Sequence, residues 1–230
     1  MGKKRKRADI GTMGERSLHA ALKKWYAQPG DRLEVEVEGY LVDVVRGDLL
    51  IEIQTGSFSS IKAKLLALTE CHAVRLVHPL AREKWIVYLA EDGLTETGRR
   101  KSPQHLGLVH VFKRLVSIPE VMARESFSLE VLVTQEEEIR RELPRRSSGR
   151  RRTSKFDRRL LCVEGRKIYE TPADLRAFLP EHLTQPFTTG DLAEAIGEPR
   201  WLAEKITYCL RRMDVIRTVG KRRNALLYSA

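Results

Sequence analysis

Residues 40–55, YLVDVVRGDLLIEIQT, hold two short apolar runs separated by Arg46-Gly47-Asp48. A glycine-centred turn between two runs rich in β-branched residues predicts a β-hairpin. Upstream, Leu33, Val35 and Val37 alternate with Glu34, Glu36 and Glu38, the period-two pattern of a strand with one wet face. Further upstream, residues 14–26 put Leu18, Ala21, Leu22 and Trp25 at helical spacing, and Gln28-Pro29-Gly30 stops that helix. Downstream, residues 58–70 predict a helix with Ser57 as its cap and Ile61, Leu65 and Leu68 on its buried face. Residues 73–80 and 84–90 read as two strands, residues 104–117 as a helix, and residues 127–134 as a further strand. The order αβββαβ with additions predicts an α/β sandwich built around a mixed sheet.

Period two places Leu50, Glu52 and Gln54 on one face of the second hairpin strand and Leu49, Ile51 and Ile53 on the other. Across the turn, Asp43 interrupts an otherwise apolar strand, and antiparallel pairing can bring it beside Glu52. Burying such groups unpaired costs roughly 2–7 kcal/mol each, so a ligand is the natural explanation. Two carboxylates on rigid strands, with the main-chain carbonyl of Ile53 between Glu52 and Gln54, form the incomplete oxygen shell that Mg²⁺ or Mn²⁺ accepts while keeping waters and phosphate oxygens. That shell suits phosphodiester cleavage.

The spacing Asp43, eight residues, then Glu52-Ile53-Gln54, preceded by Gly14-Glu15 on the first helix, resembles the PD-(D/E)xK nuclease superfamily. It is most similar to the subgroup in which Gln replaces the motif lysine, which includes some restriction enzymes and the competence CoiA-like nucleases. The resemblance covers about residues 11–90 and implies a restriction-endonuclease-like core. It also implies Asp43, Glu52 and Glu15 as metal ligands with the Ile53 carbonyl, and Gln54 as the group that positions the attacking water. Two departures stand out: Val42 precedes Asp43 where a proline is usual, and Gln54 cannot carry the lysine's positive charge. The water must then be activated mainly by the metal.

The chain carries 42 Lys and Arg against 31 Asp and Glu, a net charge of +11, and this surplus is not spread evenly. KKRKR at residues 3–7 holds +5 and residues 145–159 hold +7, so the remaining bodies are nearly neutral. Charge blocks of this kind bind phosphates without reading bases. They divide the chain into a basic tail (1–10), a nuclease-like domain (11–143), a basic linker (144–159) and a C-terminal domain (160–230). Lys62 and Lys64, just past the motif, are candidate phosphate contacts. His72, His78, His105 and His110 lack the spacing of a zinc or nucleophile site and read as structural or surface residues. Three cysteines without CxxC spacing argue against a disulfide framework or a zinc ribbon, and no apolar stretch is long enough to span a membrane. The basic start is not followed by an apolar signal segment, which predicts an intracellular protein: cytoplasmic, with nucleoid or nuclear association.

In the C-terminal part, Thr171-Pro172 opens a short helix, residues 188–197 form a second ended by Gly197, and Glu198-Pro199 opens a third through Met213. Leu202, Ile206, Cys209 and Met213 face the core, while Trp201, Lys205, Tyr208 and Arg212 lie opposite. Two strands, VIRTV and ALLYS, flank a tip at residues 220–224. Three helices and a basic hairpin resemble a winged helix, with Lys205, Arg211, Arg212, Lys221, Arg222 and Arg223 as its DNA contacts. The whole predicts a metal-dependent DNA endonuclease, needing no small-molecule cofactor and acting as a homodimer when both strands are cut. The alternative is a non-catalytic DNA-binding regulator on a degenerate nuclease fold.

Overall fold

The computed structural model describes residues 10–144 and 152–230, with side chains from residue 17 onward. The KKRKR tail and residues 145–151 lie outside the described residues. The elements run α1 (Ile10–Tyr26), β1 (Arg32–Val37), β2 (Tyr40–Arg46), β3 (Leu49–Ile53), α2 (Lys62–Leu68), β4 (Ala73–Leu89), β5 (Glu96–Lys101), α3 (Phe112–Leu115), α4 (Pro119–Met122), β6 (Phe127–Leu143) and β7 (Arg152–Tyr169). Then follow β8 (Phe187–Thr188), α5 (Thr189–Ile196), α6 (Arg200–Arg212), β9 (Arg217–Arg222) and β10 (Ala225–Ser229). The chain is an α/β protein with a mixed, mostly antiparallel sheet and a separate three-stranded sheet.

Among the described residues two compact units share the chain: a larger one of residues 28–80, 107–132 and 166–230, and a smaller one drawn from residues 10–27, 81–106, 133–144 and 152–165. The strands of the main sheet follow the order β1-β2-β3-β4-β6-β7. In the larger unit, β1 and β2 pair antiparallel, Val35 opposite Val42, and β2 pairs antiparallel with β3, Val44 opposite Ile51. Arg46 sits opposite Leu49, so the turn has two residues, Gly47 and Asp48, not three, and Gly47 takes φ +56° as such turns require. β3 then pairs parallel with β4, Ile53 opposite Val77. A parallel neighbour needs a crossover, and α2 provides it. Both faces of β3 are covered: Leu50, Ile51, Glu52 and Ile53 are all buried. The core beneath holds Phe58, Leu65 and Leu68 from the crossover, with Val42, Val44 and Leu76 from the strands. Arg124 ties that crossover down, its guanidinium donating to the Leu66 carbonyl at 2.7 Å and to Thr69 Oγ1 at 2.9 Å.

Several expectations need correction. Ser57 makes no side-chain cap; its hydroxyl pairs with Ser59, and the helix opens through a 3-10 turn at Phe58–Ile61. The two strands expected at residues 73–80 and 84–90 are one strand, β4. The charges between them resemble a turn but stand on a strand that pairs them: Glu83 with Lys101 at 2.8 Å and Lys84 with Glu138 at 3.4 Å. The helix expected over residues 104–117 is a 3-10 turn, Leu108–Val111, followed by α3.

The largest change concerns the basic linker. Residues 152–159 belong to β7, in the smaller unit. β6 supplies the counter-charges, Glu136 lying 3.6 Å from Arg158. Phe156 supplies the apolar anchor by packing on Val87, Leu89 and Ile139. Order here depends on a partner strand distant in sequence, which composition alone does not reveal.

Within the larger unit, α5 carries its expected caps: Thr188 Oγ1 accepts from the Asp191 amide at 3.2 Å, and Gly197 closes the helix at φ +65°. β8, absent from the expectation, pairs with β10, which pairs with β9, so the hairpin belongs to a three-stranded sheet. Phe178 meets Phe112 edge-on at 5.0 Å and Tyr169 at 5.5 Å, packing the C-terminal elements on α3.

Candidate active site

The β2–β3 pairing ends at Val44 opposite Ile51, and the next residues of the two strands, Asp43 and Glu52, lie near enough for the Asp43 charge to act on Glu52. Asp43 takes part in the ladder with its side chain: its Oδ2 accepts from the Ile53 amide at 2.8 Å. Glu52 is only 5% exposed. Its carboxyl is pushed up to about 7, chiefly by burial and next by the Asp43 charge, against the lowering pull of Lys64. Lys64 Nζ lies 2.5 Å from Glu52 Oε1, a close charge-assisted pair inside the buried site.

The two lysines on α2 part company. Residues two apart on a helix diverge by about 200°, so both cannot face one site. Lys64 reaches Glu52 and the Leu41 carbonyl, whereas Lys62 pairs with Glu120. The positive charge that Gln54 cannot supply thus stands beside Glu52 from the helix. Sequence alone marks Lys64 only as a phosphate contact; helical geometry is the signal that separates it from Lys62.

Gln54 follows the end of β3, and its amide is engaged locally. Its Oε1 accepts from the Gly56 amide at 2.9 Å and its Nε2 donates to Ser60 Oγ at 3.2 Å. Its carbonyl is held by His78, buried beside Phe58 on β4, whose Nδ1 donates at 2.6 Å. His78 is structural, as its spacing predicts, and its task is to hold the end of the motif strand. Glu15 lies on α1, and its side chain is outside the described residues.

Among the described residues no three His, Cys, Asp or Glu side chains gather to hold an ion. Asp43 and Glu52 make two. A shell of two carboxylates suits a cation that keeps waters and takes phosphate oxygens.

The second constellation is the outer face of α6. Leu202, Ile206 and Cys209 are fully buried and Met213 nearly so, as the spacing predicts. Arg211 and Arg212 are exposed, Lys205 half-buried, and Trp201 and Tyr208 stand 45% and 40% exposed. On the hairpin, Lys221 and Arg223 are exposed. Arg222, expected to meet phosphate, instead turns to Asp191 in an ion pair and approaches Thr188 Oγ1 at 3.3 Å. It braces the start of α5. Asp191, held by the Thr188 amide and by Arg222, lies below the usual carboxylate range.

No helix among the described residues is long and apolar enough to cross a membrane. A family model described as "Domain of unknown function (DUF8091)" matches residues 16–170, ending one residue past β7. The chain is similar to an uncharacterized protein of Treponema pallidum (strain Nichols), 31% identical over 186 residues that cover 80% of this chain and 74% of that protein. No solved structure matches.

Proposed function

The chain belongs to the DUF8091 family, and we propose that it is a metal-dependent DNA endonuclease with a restriction-endonuclease-like core of PD-(D/E)xK type and a winged-helix DNA-binding module at residues 171–230. The observation that carries this reading is the buried Glu52 with the Asp43 charge near it and the Lys64 ammonium upon it. A buried carboxyl beside a second acid, raised to titrate near neutrality, is expensive to keep, and such groups cluster where chemistry uses them.

Asp43 and Glu52 would hold a divalent cation, Mg²⁺ or Mn²⁺. When bound, that ion supplies Lewis-acid charge to the scissile phosphate and acidifies its water. The chain's own groups do the rest. Asp43, fixed by the Ile53 amide, keeps its carboxylate rigid. Glu52 would hold the cation in its ionised form. Lys64 replaces the motif lysine and, freed from Glu52, places its ammonium where charge develops on the phosphate. Lys62, tied to Glu120, is left out of the site. DNA is gripped through Arg211, Arg212, Lys221 and Arg223, whose exposed charges meet phosphates.

One observation favours a non-catalytic regulator: Lys64 already neutralises Glu52, and both ends of the Gln54 amide are engaged. Plasmid incubated with protein and Mg²⁺ separates the readings. Nicking that disappears in Asp43→Ala supports the enzyme; intact plasmid across metals and substrates supports the regulator.

A further inference from the structure

α6 is two-sided, and the side turned to solvent carries two rings. Trp201 and Tyr208 are seven residues apart, two turns or about 10.5 Å along the axis, so they share one stripe. An exposed aromatic standing alone needs no explanation. Two in register, with cations around them, do. Lys113 sits over the Trp201 ring at 5.0 Å, and Arg211 and Arg212 are exposed nearby on the same helix. Glu204 is the one acid on α6 itself, where Arg200 answers it at 3.4 Å, while Glu198 lies near Lys113 and Glu120, already paired with Lys62, near Arg212. The stripe is therefore cationic on balance and complementary to a polyanion. It carries no Asn or Gln with which to read adenine edges in a groove. Flat rings among phosphate-seeking cations are what hold unpaired bases.

We propose that the outer face of α6 binds single-stranded DNA, Trp201 and Tyr208 stacking on unpaired bases while Lys205, Arg211 and Arg212 take the flanking phosphates. The preferred targets of the protein are then duplexes that carry a single-stranded segment, such as an overhang, flap or gap. This rests on the endonuclease reading only in taking DNA as the polymer.

The test uses the full chain in EDTA, titrated by fluorescence anisotropy. The probes are a blunt duplex of about twenty base pairs and the same duplex with an overhang of about ten nucleotides. The overhang probe is expected to bind about tenfold or more tighter. The Trp201→Ala, Tyr208→Ala double variant loses that advantage and keeps its affinity for the blunt duplex, while Trp201→Phe, Tyr208→Phe retains most of it. Equal affinity for the two probes, or an advantage that survives the double alanine variant, overturns the proposal. A protein that prefers the overhang but cleaves neither probe with Mg²⁺ supports the proposal and removes the endonuclease reading, so the two fail separately.

Discussion

The β2–β3 hairpin and the outer face of α6 both present ionisable side chains, and the fold treats them in opposite ways. On the hairpin, Glu52 is buried, near the Asp43 charge and matched by one ammonium, so its charge carries a desolvation cost. On α6, Arg211 and Arg212 stand in water, where charge is inexpensive and adaptable. Chemistry needs the first arrangement, because a rigid, poorly solvated charge acts strongly on a reacting centre. Binding a flexible polyanion needs the second.

The sharpest way to break this division is at the hairpin. Asp43→Ala and Glu52→Gln are each expected to lower Mg²⁺-dependent nicking by about 10²-fold or more while DNA affinity in EDTA changes by less than about twofold. Parallel loss of binding and nicking would collapse the two regions into one. Lys64→Ala comes next, with a fall in cleavage of about 10²-fold. Since Lys64 pulls the Glu52 carboxyl down, its loss is also expected to move the rising limb of the pH–rate profile to higher pH, whereas Lys62→Ala moves neither. An unshifted profile in Lys64→Ala removes that lysine from the site.

Glu52 also makes stability depend on pH. Its folded value of about 7 lies above the ordinary 4.5, so its contribution is complete below about 4.5 and is lost as pH rises through about 7. That difference is on the order of 3 kcal/mol. Without metal, Glu52→Gln is therefore expected to melt higher than the parent at pH 8 and close to it at pH 4.5, which thermal scans at the two pH values check. A gap of equal size at both would remove Glu52 from the titration. For cleavage the sign is reversed, since a ligand must be ionised: the rate rises with pH.

Much of the hairpin is legible in the sequence because its determinants are local. Period two, a glycine turn and one acid in each strand sit within residues 40–55, and the structure pairs the two strands antiparallel, Val44 opposite Ile51. The choice between Lys62 and Lys64 is also present, in the helical angle between them, but has to be combined with the position of β3. What the sequence hides is non-local. His78 meets Gln54 only through the parallel register of β3 and β4. Residues 152–159 order on glutamates and a small apolar cluster from other strands, which turns an apparent linker into β7. Spacing puts Trp201 and Tyr208 opposite the core of α6, but whether other chain covers them is a tertiary matter.

At α6 the effects are graded. Removing Arg211 or Arg212 is expected to weaken binding uniformly across sequences and to reduce the salt slope by about 0.9 for each phosphate that is no longer neutralised. The smallest effect belongs to Arg222→Ala: breaking its partly exposed pair with Asp191 costs about 1 kcal/mol or less and leaves DNA affinity unchanged. A clear drop in affinity would return Arg222 to the DNA-facing set.

The most direct test is a crystal soaked in Mn²⁺. An anomalous peak lying between the carboxylates of Asp43 and Glu52, with the Lys64 ammonium moved off Glu52, is the predicted result. A crystal that takes up no manganese there, and still shows Lys64 closed on Glu52, would contradict the account.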